Sequence, residues 1–100
     1  MAGKVTTVSN EQGFQVIVMP GIAQHSLFEK NCCDLCGMPT GIEDNVYYES
    51  VIDNFYCENC HYLYMLNAVR YKSDIEQENK NFERIKRKLE GEKWWEKDLF

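Results

Sequence analysis

The sequence predicts a small α+β domain: β-hairpins and a long C-terminal amphipathic helix built around a four-cysteine metal site. Three observations predict it. Two cysteine couples, Cys33-Asp34-Leu35-Cys36 and Cys57-Glu58-Asn59-Cys60, stand 20 residues apart. Residues 4–19 and 46–57 are rich in β-branched and aromatic residues between turn-forming clusters. From Cys57 to Leu89 there is neither proline nor glycine, and good helix formers dominate.

The elements follow in order. Val5–Val8 and Phe14–Met19 flank Ser9-Asn10-Glu11-Gln12-Gly13, which predicts a hairpin that Pro20-Gly21 ends. Residues 22–31 read as a helical turn or loop leading to the metal site. Gly37 follows the first couple and suits a tight turn that points backbone N–H groups at sulfur. Val46–Cys57 reads as a second hairpin with Asp53-Asn54 as its turn.

The helix is expected to open at Cys57, so that two metal ligands sit in its first turn near the positive end of its dipole. Gly91 is its natural stop. Tyr62, Met65, Leu66 and Val69 form one apolar stripe, expected to pack over the metal hairpin. A second stripe, Tyr64, Ala68, Tyr71, Ile75, Glu78, Phe82, Ile85 and Leu89, advances by alternating steps of four and three, a heptad rhythm that only Glu78 breaks. One continuous helix of this length would extend about 50 Å, too far for the metal module to cover. Against continuity stands Ser73-Asp-Ile-Glu76, the S-x-x-E pattern of a helix start.

Composition narrows the function classes. The chain has 100 residues, net charge -5 and 13% aromatics, which fits one small globular domain. The expected organisation is 1–31 hairpin and connector, 32–70 metal module, 71–100 helical extension and aromatic tail. No apolar run approaches membrane-spanning length, and the first residues lack the apolar stretch of a secretory leader. Five cysteines then suit a reducing cytoplasmic compartment, as metal ligands rather than disulfides.

Residues 1–60 hold two basic residues (Lys4, Lys30) against eight acids, a net -6, whereas residues 61–100 hold nine against eight. A zinc tetrathiolate adds two further negative charges. So acidic a module repels a phosphate backbone and favours a basic protein surface.

Cys33, Cys36, Cys57 and Cys60 are the expected ligands of one structural Zn2+, since C-x2-C turns each supply two soft donors to a tetrahedral ion. Cys32 is left over as a bystander. Knuckle, hairpin, then a helix opening at the second couple is the treble-clef order. Over about residues 32–70 the sequence resembles GATA-type zinc fingers, notably in Tyr56-Cys57-Glu58-Asn59-Cys60-His61-Tyr62-Leu63-Tyr64-Met65. That resemblance implies the metal site and local fold. It departs from the DNA-binding pattern, because no Lys or Arg stands between Cys33 and Arg70.

Four cysteines close the coordination shell, and no base–nucleophile pair or histidine cluster accompanies them, so no enzymatic activity is expected. The expected function is a zinc-binding regulatory adaptor that grips a protein through its helix and tail: Ile75, Phe82, Ile85, Leu89, Trp94, Trp95, Leu99 and Phe100. Glu96-Lys97-Asp98-Leu99-Phe100 is similar at three positions to the Q-L-[SD]-L-F peptides that dock on sliding clamps. A clamp or RNA polymerase is the expected class of partner, in the style of phage-encoded regulators, with a homodimer through the heptad stripe as another assembly. The alternative is a nucleic-acid-binding transcription regulator using Lys80 and Arg84-Ile85-Lys86-Arg87-Lys88.

Overall fold

The computed structural model describes residues 5–92. Its frame is a four-stranded antiparallel sheet in sequential order, β1 (Thr6–Val8), β2 (Val16–Pro20), β3 (Asn45–Glu49) and β4 (Asn54–Cys57). The N-terminal hairpin pairs Thr6 with Val18 and Val8 with Val16. β2 then pairs with β3 from Val16 opposite Glu49 to Pro20 opposite Asn45. The second hairpin pairs Val46 with Cys57 and Glu49 with Asn54. Asp53 takes the left-handed conformation (φ 55°) at its turn.

Strand alternation gives the sheet two apolar faces. Ile17, Met19, Val46, Tyr48 and Phe55 point to one face, where α1 (Gly21–Phe28) and α3 (Ile75–Gly91) cover them. Phe14, Val16 and Tyr47 point to the other, packed by Met65 and Ala68 at the end of α2 (Glu58–Asn67) and just beyond it. Gly21 lies where α1 crosses the loop before β3. A Cβ there would stand 1.8 Å from the Gly41 carbonyl oxygen, so no larger residue fits.

The continuous helix does not form. α2 ends at Asn67, the chain is extended at Ala68 and again at Tyr71, and a 3₁₀ turn (Lys72–Asp74) leads into α3. No proline or glycine causes this break. Side chains from the turn between β1 and β2 hold it instead. The Gln12 amide donates to the Ala68 carbonyl (2.7 Å), and its oxygen accepts from Arg70 N–H (2.8 Å), as a neighbouring strand would. Glu78, fully buried, accepts from the Arg70 guanidinium (2.9 and 2.8 Å) with one oxygen and from the Gln15 N–H (2.8 Å) with the other. Asn81 adds a bond from its amide to the Ser50 carbonyl (2.8 Å). Glu78 therefore pins the start of α3 to β2. α3 begins close to where Ser73-Asp-Ile-Glu76 indicated, but without a side-chain cap.

The apolar stripes are also redistributed. Ile85 and Leu89 are buried in the domain's own core and Phe82 packs against it, so the heptad is not a coiled-coil seam. Each buried aliphatic side chain contributes about 1.5–3 kcal/mol here, and that outweighs leaving the stripe in water. On α2 the inward residues are Cys60, His61, Tyr64 and Met65, while Tyr62, Leu66 and Val69 face solvent. The stripe expected over the metal hairpin is thus the outer one, apart from Met65.

The bracket around Glu78 carries a prediction. Glu78→Ala strands the Arg70 charge and the Gln15 N–H, and costs about 3 kcal/mol in urea unfolding. Glu76→Ala removes only an exposed pair with Lys80 and changes stability by less than about 0.5 kcal/mol. Equal effects of the two substitutions contradict this assignment.

Candidate metal centre

Residues 32–39 form a narrow knuckle whose ends bridge at Cys32 and Pro39. Inside it Cys33 N–H donates to the Met38 carbonyl (2.9 Å), and Gly37 N–H to the Cys33 carbonyl (3.0 Å). Gly37 sits at φ +75°, the conformation that the turn after the second cysteine requires and that only glycine adopts without strain. The knuckle is docked on the free edge of β4 by a residue between the ligands. Asp34 N–H donates to the Phe55 carbonyl (2.7 Å), and the Asp34 carboxylate accepts from Phe55 N–H (2.7 Å). Lys30 holds the other carboxylate oxygen at 2.6 Å. Sequence reading missed Asp34, because a lone acid inside a C-x2-C turn carries no periodic signal.

The second couple comes from a different device. Cys57 is both the last residue of β4 and the N-cap of α2, in extended conformation (φ -71°, ψ 166°), and Cys60 lies in the first helical turn. The helix therefore opens one residue later than expected. β4 thus carries the knuckle on its edge and delivers Cys57 and Cys60 at its end.

All four sulfurs lie within 4.8 Å of one another, and Cys36 Sγ is 3.9 Å from Cys57 Sγ. Four thiolates bound at 2.3 Å on tetrahedral corners stand about 3.8 Å apart. The donor set and spacing fit one metal ion, and soft thiolates select zinc among the common divalent ions. Cys33 and Cys60 are buried, Cys57 is half-buried and Cys36 is exposed. Leu35 N–H donates to Cys33 Sγ (3.4 Å).

Electrostatics asks for a cation. Burial raises the Cys33 thiol, but N–H groups of Cys36, Cys57 and Leu35 outweigh it and bring it from 9.0 down to about 7. Cys60 moves the other way, pushed up by burial and then by the sulfurs of Cys57, Cys36 and Cys33. Without a cation the cluster cannot hold four thiolates together. A divalent ion removes that conflict, displacing protons as it binds.

Beside the cluster, aromatic rings seal α2 to the sheet. Tyr56 meets Tyr64 edge-on (5.7 Å), and Phe14 meets Tyr64 likewise (6.1 Å). His61 turns away from the sulfurs toward β3, where its ring stacks on Tyr47 (4.2 Å) and Nδ1 shares a hydrogen bond with Glu49 Oε2 (2.5 Å). Glu49 is buried, and burial raises its carboxyl above the usual range. His25 hydrogen-bonds the Thr40 carbonyl through Nε2 (2.8 Å), which ties α1 to the end of the knuckle. Cys32 is half-buried and stays outside the cluster.

Of the residues expected to bind a partner, Ile85 and Leu89 are interior, Phe82 packs on the interior, and Ile75 is half-buried. Trp94, Trp95, Leu99 and Phe100 lie outside the described residues. No helix of the described residues is long and apolar enough to cross a membrane. Compared with protein-family models, curated proteins and solved structures, the chain matches none of them.

Two measurements follow from this geometry. Chelation by EDTA lowers the melting temperature by more than about 12 °C, because losing even 3 kcal/mol moves a domain this size that far. An unchanged melting curve contradicts the metal assignment. Zinc affinity falls steadily from pH 8 to pH 5.5 in competition with a chromophoric chelator, since every ligand must shed its proton to bind. A pH-independent affinity excludes a tetrathiolate.

Proposed function

We propose that this chain is a non-enzymatic zinc-binding adaptor that docks a protein partner on the outer face of α2. The order of knuckle, hairpin and helix around four cysteines supports a treble-clef module of the kind resembling GATA-type fingers. Four thiolates fill a tetrahedral shell and leave no position for a reactive water. The zinc is then structural, and the work of the module is to present a surface.

One observation carries the reading. The middle of α2, Tyr62-Leu63-Tyr64-Met65-Leu66, is apolar on every side, yet only one side of it is covered. Tyr62 (57% exposed), Leu63 and Leu66 (79%) face outward, and Val69 and Tyr71, past the helix end, are exposed as well. A helix of this character is ordinarily enclosed on both sides, and contiguous exposed apolar surface marks interaction sites. Tyrosines at such a surface are typical binding anchors. At the head of α2 stand Glu58, Glu43 and Asp44, gathered around Cys57. The partner surface suited to this face is apolar with a basic rim. It rests on α2 rather than on the α3 stripe that the sequence favoured.

Site-specific photo-crosslinking tests the proposal. A photoreactive residue at Leu66 captures a partner protein in cells, whereas one at exposed Glu83 on α3 does not. Leu66→Asp abolishes co-purification of that partner while zinc content and melting temperature are retained. Capture that is equal at both positions, or unaffected by Leu66→Asp, overturns the α2 face as the docking site.

A further inference from the structure

On the opposite face of the sheet lies a second surface of different chemistry. Lys80, Arg84 and Lys88 stand at i, i+4 and i+8 along the exposed edge of α3, with Arg87 beside them. Each step of four residues rises about 6 Å, so the cations form a row. Lys30, from the segment after α1, is held by Asp34 at 2.6 Å and flanks the row on the side of the knuckle without being part of it. Where the row ends, a concavity of about 390 Å³ opens between α1, β4 and α3, lined by Phe28 and Phe55 with Lys30, Arg84, Lys88 and the carboxylate of Asp53 around them. The two rings are 5.2 Å apart. Lys88 Nζ lies 5.6 Å above the Phe28 ring, and Lys30 Nζ lies 6.0 Å above Phe55.

The geometry points to a binding track for single-stranded nucleic acid: the cation row takes phosphates, and the face of Phe28 takes a base. Three features carry this. First, the row is available. Among the described residues, no carboxylate pairs with Arg87 or Lys88. Lys80 with Glu76 (3.3 Å) is an exposed pair, and Arg84 with Asp53 (2.6 Å) is about half exposed. Such pairs are worth at most about 1 kcal/mol each, so a phosphate displaces the carboxylate at little cost. Second, an ammonium held above a ring marks a ring face open to the cleft. A base stacking there contributes about 1–3 kcal/mol and moves the lysine onto the adjoining phosphate. Only an unpaired strand offers a free base face, which selects single strands over duplex. Third, the acids at the track are Asp53, paired with Arg84, and Glu83, whereas Glu43, Asp44 and Glu58 gather at the metal end around Cys57. Screening over about 8 Å at physiological salt limits how far their charge acts.

This track is independent of the α2 docking face. Fluorescence anisotropy of the zinc-loaded full chain with labelled twelve-nucleotide oligo-dT and oligo-rU tests it. Binding weakens with salt at a log–log slope of about -3, the value for four phosphate contacts on a single strand. Arg87→Gln with Lys88→Gln reduces that slope by about 1.4, and Phe28→Leu weakens binding roughly tenfold. Zinc content and melting temperature confirm that each variant is folded, and Leu66→Asp leaves oligonucleotide binding unchanged. Preference for either strand supports the proposal and tells DNA from RNA. No binding at low salt, a slope unaffected by the double substitution, equal binding of duplex, or equal competition by polyglutamate overturns it.

Discussion

Four sulfurs drawn from two segments must meet within 4.8 Å, and the rest of the structure is arranged to keep them there. β4 is the element that makes this work. Its free edge receives the knuckle through reciprocal bonds between Asp34 and Phe55, and its last residue is itself a ligand. Because Cys57 ends a strand and caps a helix, α2 must leave the sheet at a fixed point and cross back over it. The rings of Tyr56, Tyr64 and Phe14 then close the space between the cluster and the sheet. A metal ion bound by the four cysteines would hold the knuckle, the strand end and the helix start together, and its binding energy would count directly toward folding.

A second constraint acts at the far end of α2. The chain must pass from the metal face of the sheet to the other face, and it does so through a polar bracket rather than a glycine or proline. Gln12 supplies the backbone bonds that the broken helix lacks, and the buried pair of Glu78 and Arg70 fixes the start of α3. The cost of leaving any of these groups unpaired in the interior makes the crossing specific. The consequence is two unlike faces. One carries the cysteine cluster, nearby acids and an uncovered apolar helix surface. The other carries a row of cations beside an aromatic cleft.

Much of this was legible in the sequence, and the exceptions share one cause. The C-x2-C couples and both hairpins are local patterns, each read from residues close in the chain, and Ser73-Asp-Ile-Glu76 marked the start of α3 although one continuous helix was the expectation. The break after Asn67 was not, because it depends on Gln12, more than fifty residues away. Glu78 looked like the single defect in a heptad, yet it is the residue that holds the crossing together. Ile85 and Leu89 were correctly recognised as an apolar face, but periodicity does not say whether such a face meets a partner or the chain's own sheet. The same limit reversed the two stripes of α2, where His61 and Tyr64 turn inward and Tyr62 and Leu66 do not. Asp34 and Glu49 act through long-range hydrogen bonds, for which a single sequence holds no signal.

Whether Cys33, Cys36, Cys57 and Cys60 together hold one zinc ion is tested by native mass spectrometry after thiol alkylation. Cys36 is exposed, so without a metal it reacts readily. The expected result is one zinc per chain, protection of Cys33, Cys36, Cys57 and Cys60 in the native state, and modification confined to Cys32. Rapid alkylation of Cys36 with zinc still bound, or a chain that carries no zinc when purified under reducing conditions, would contradict it.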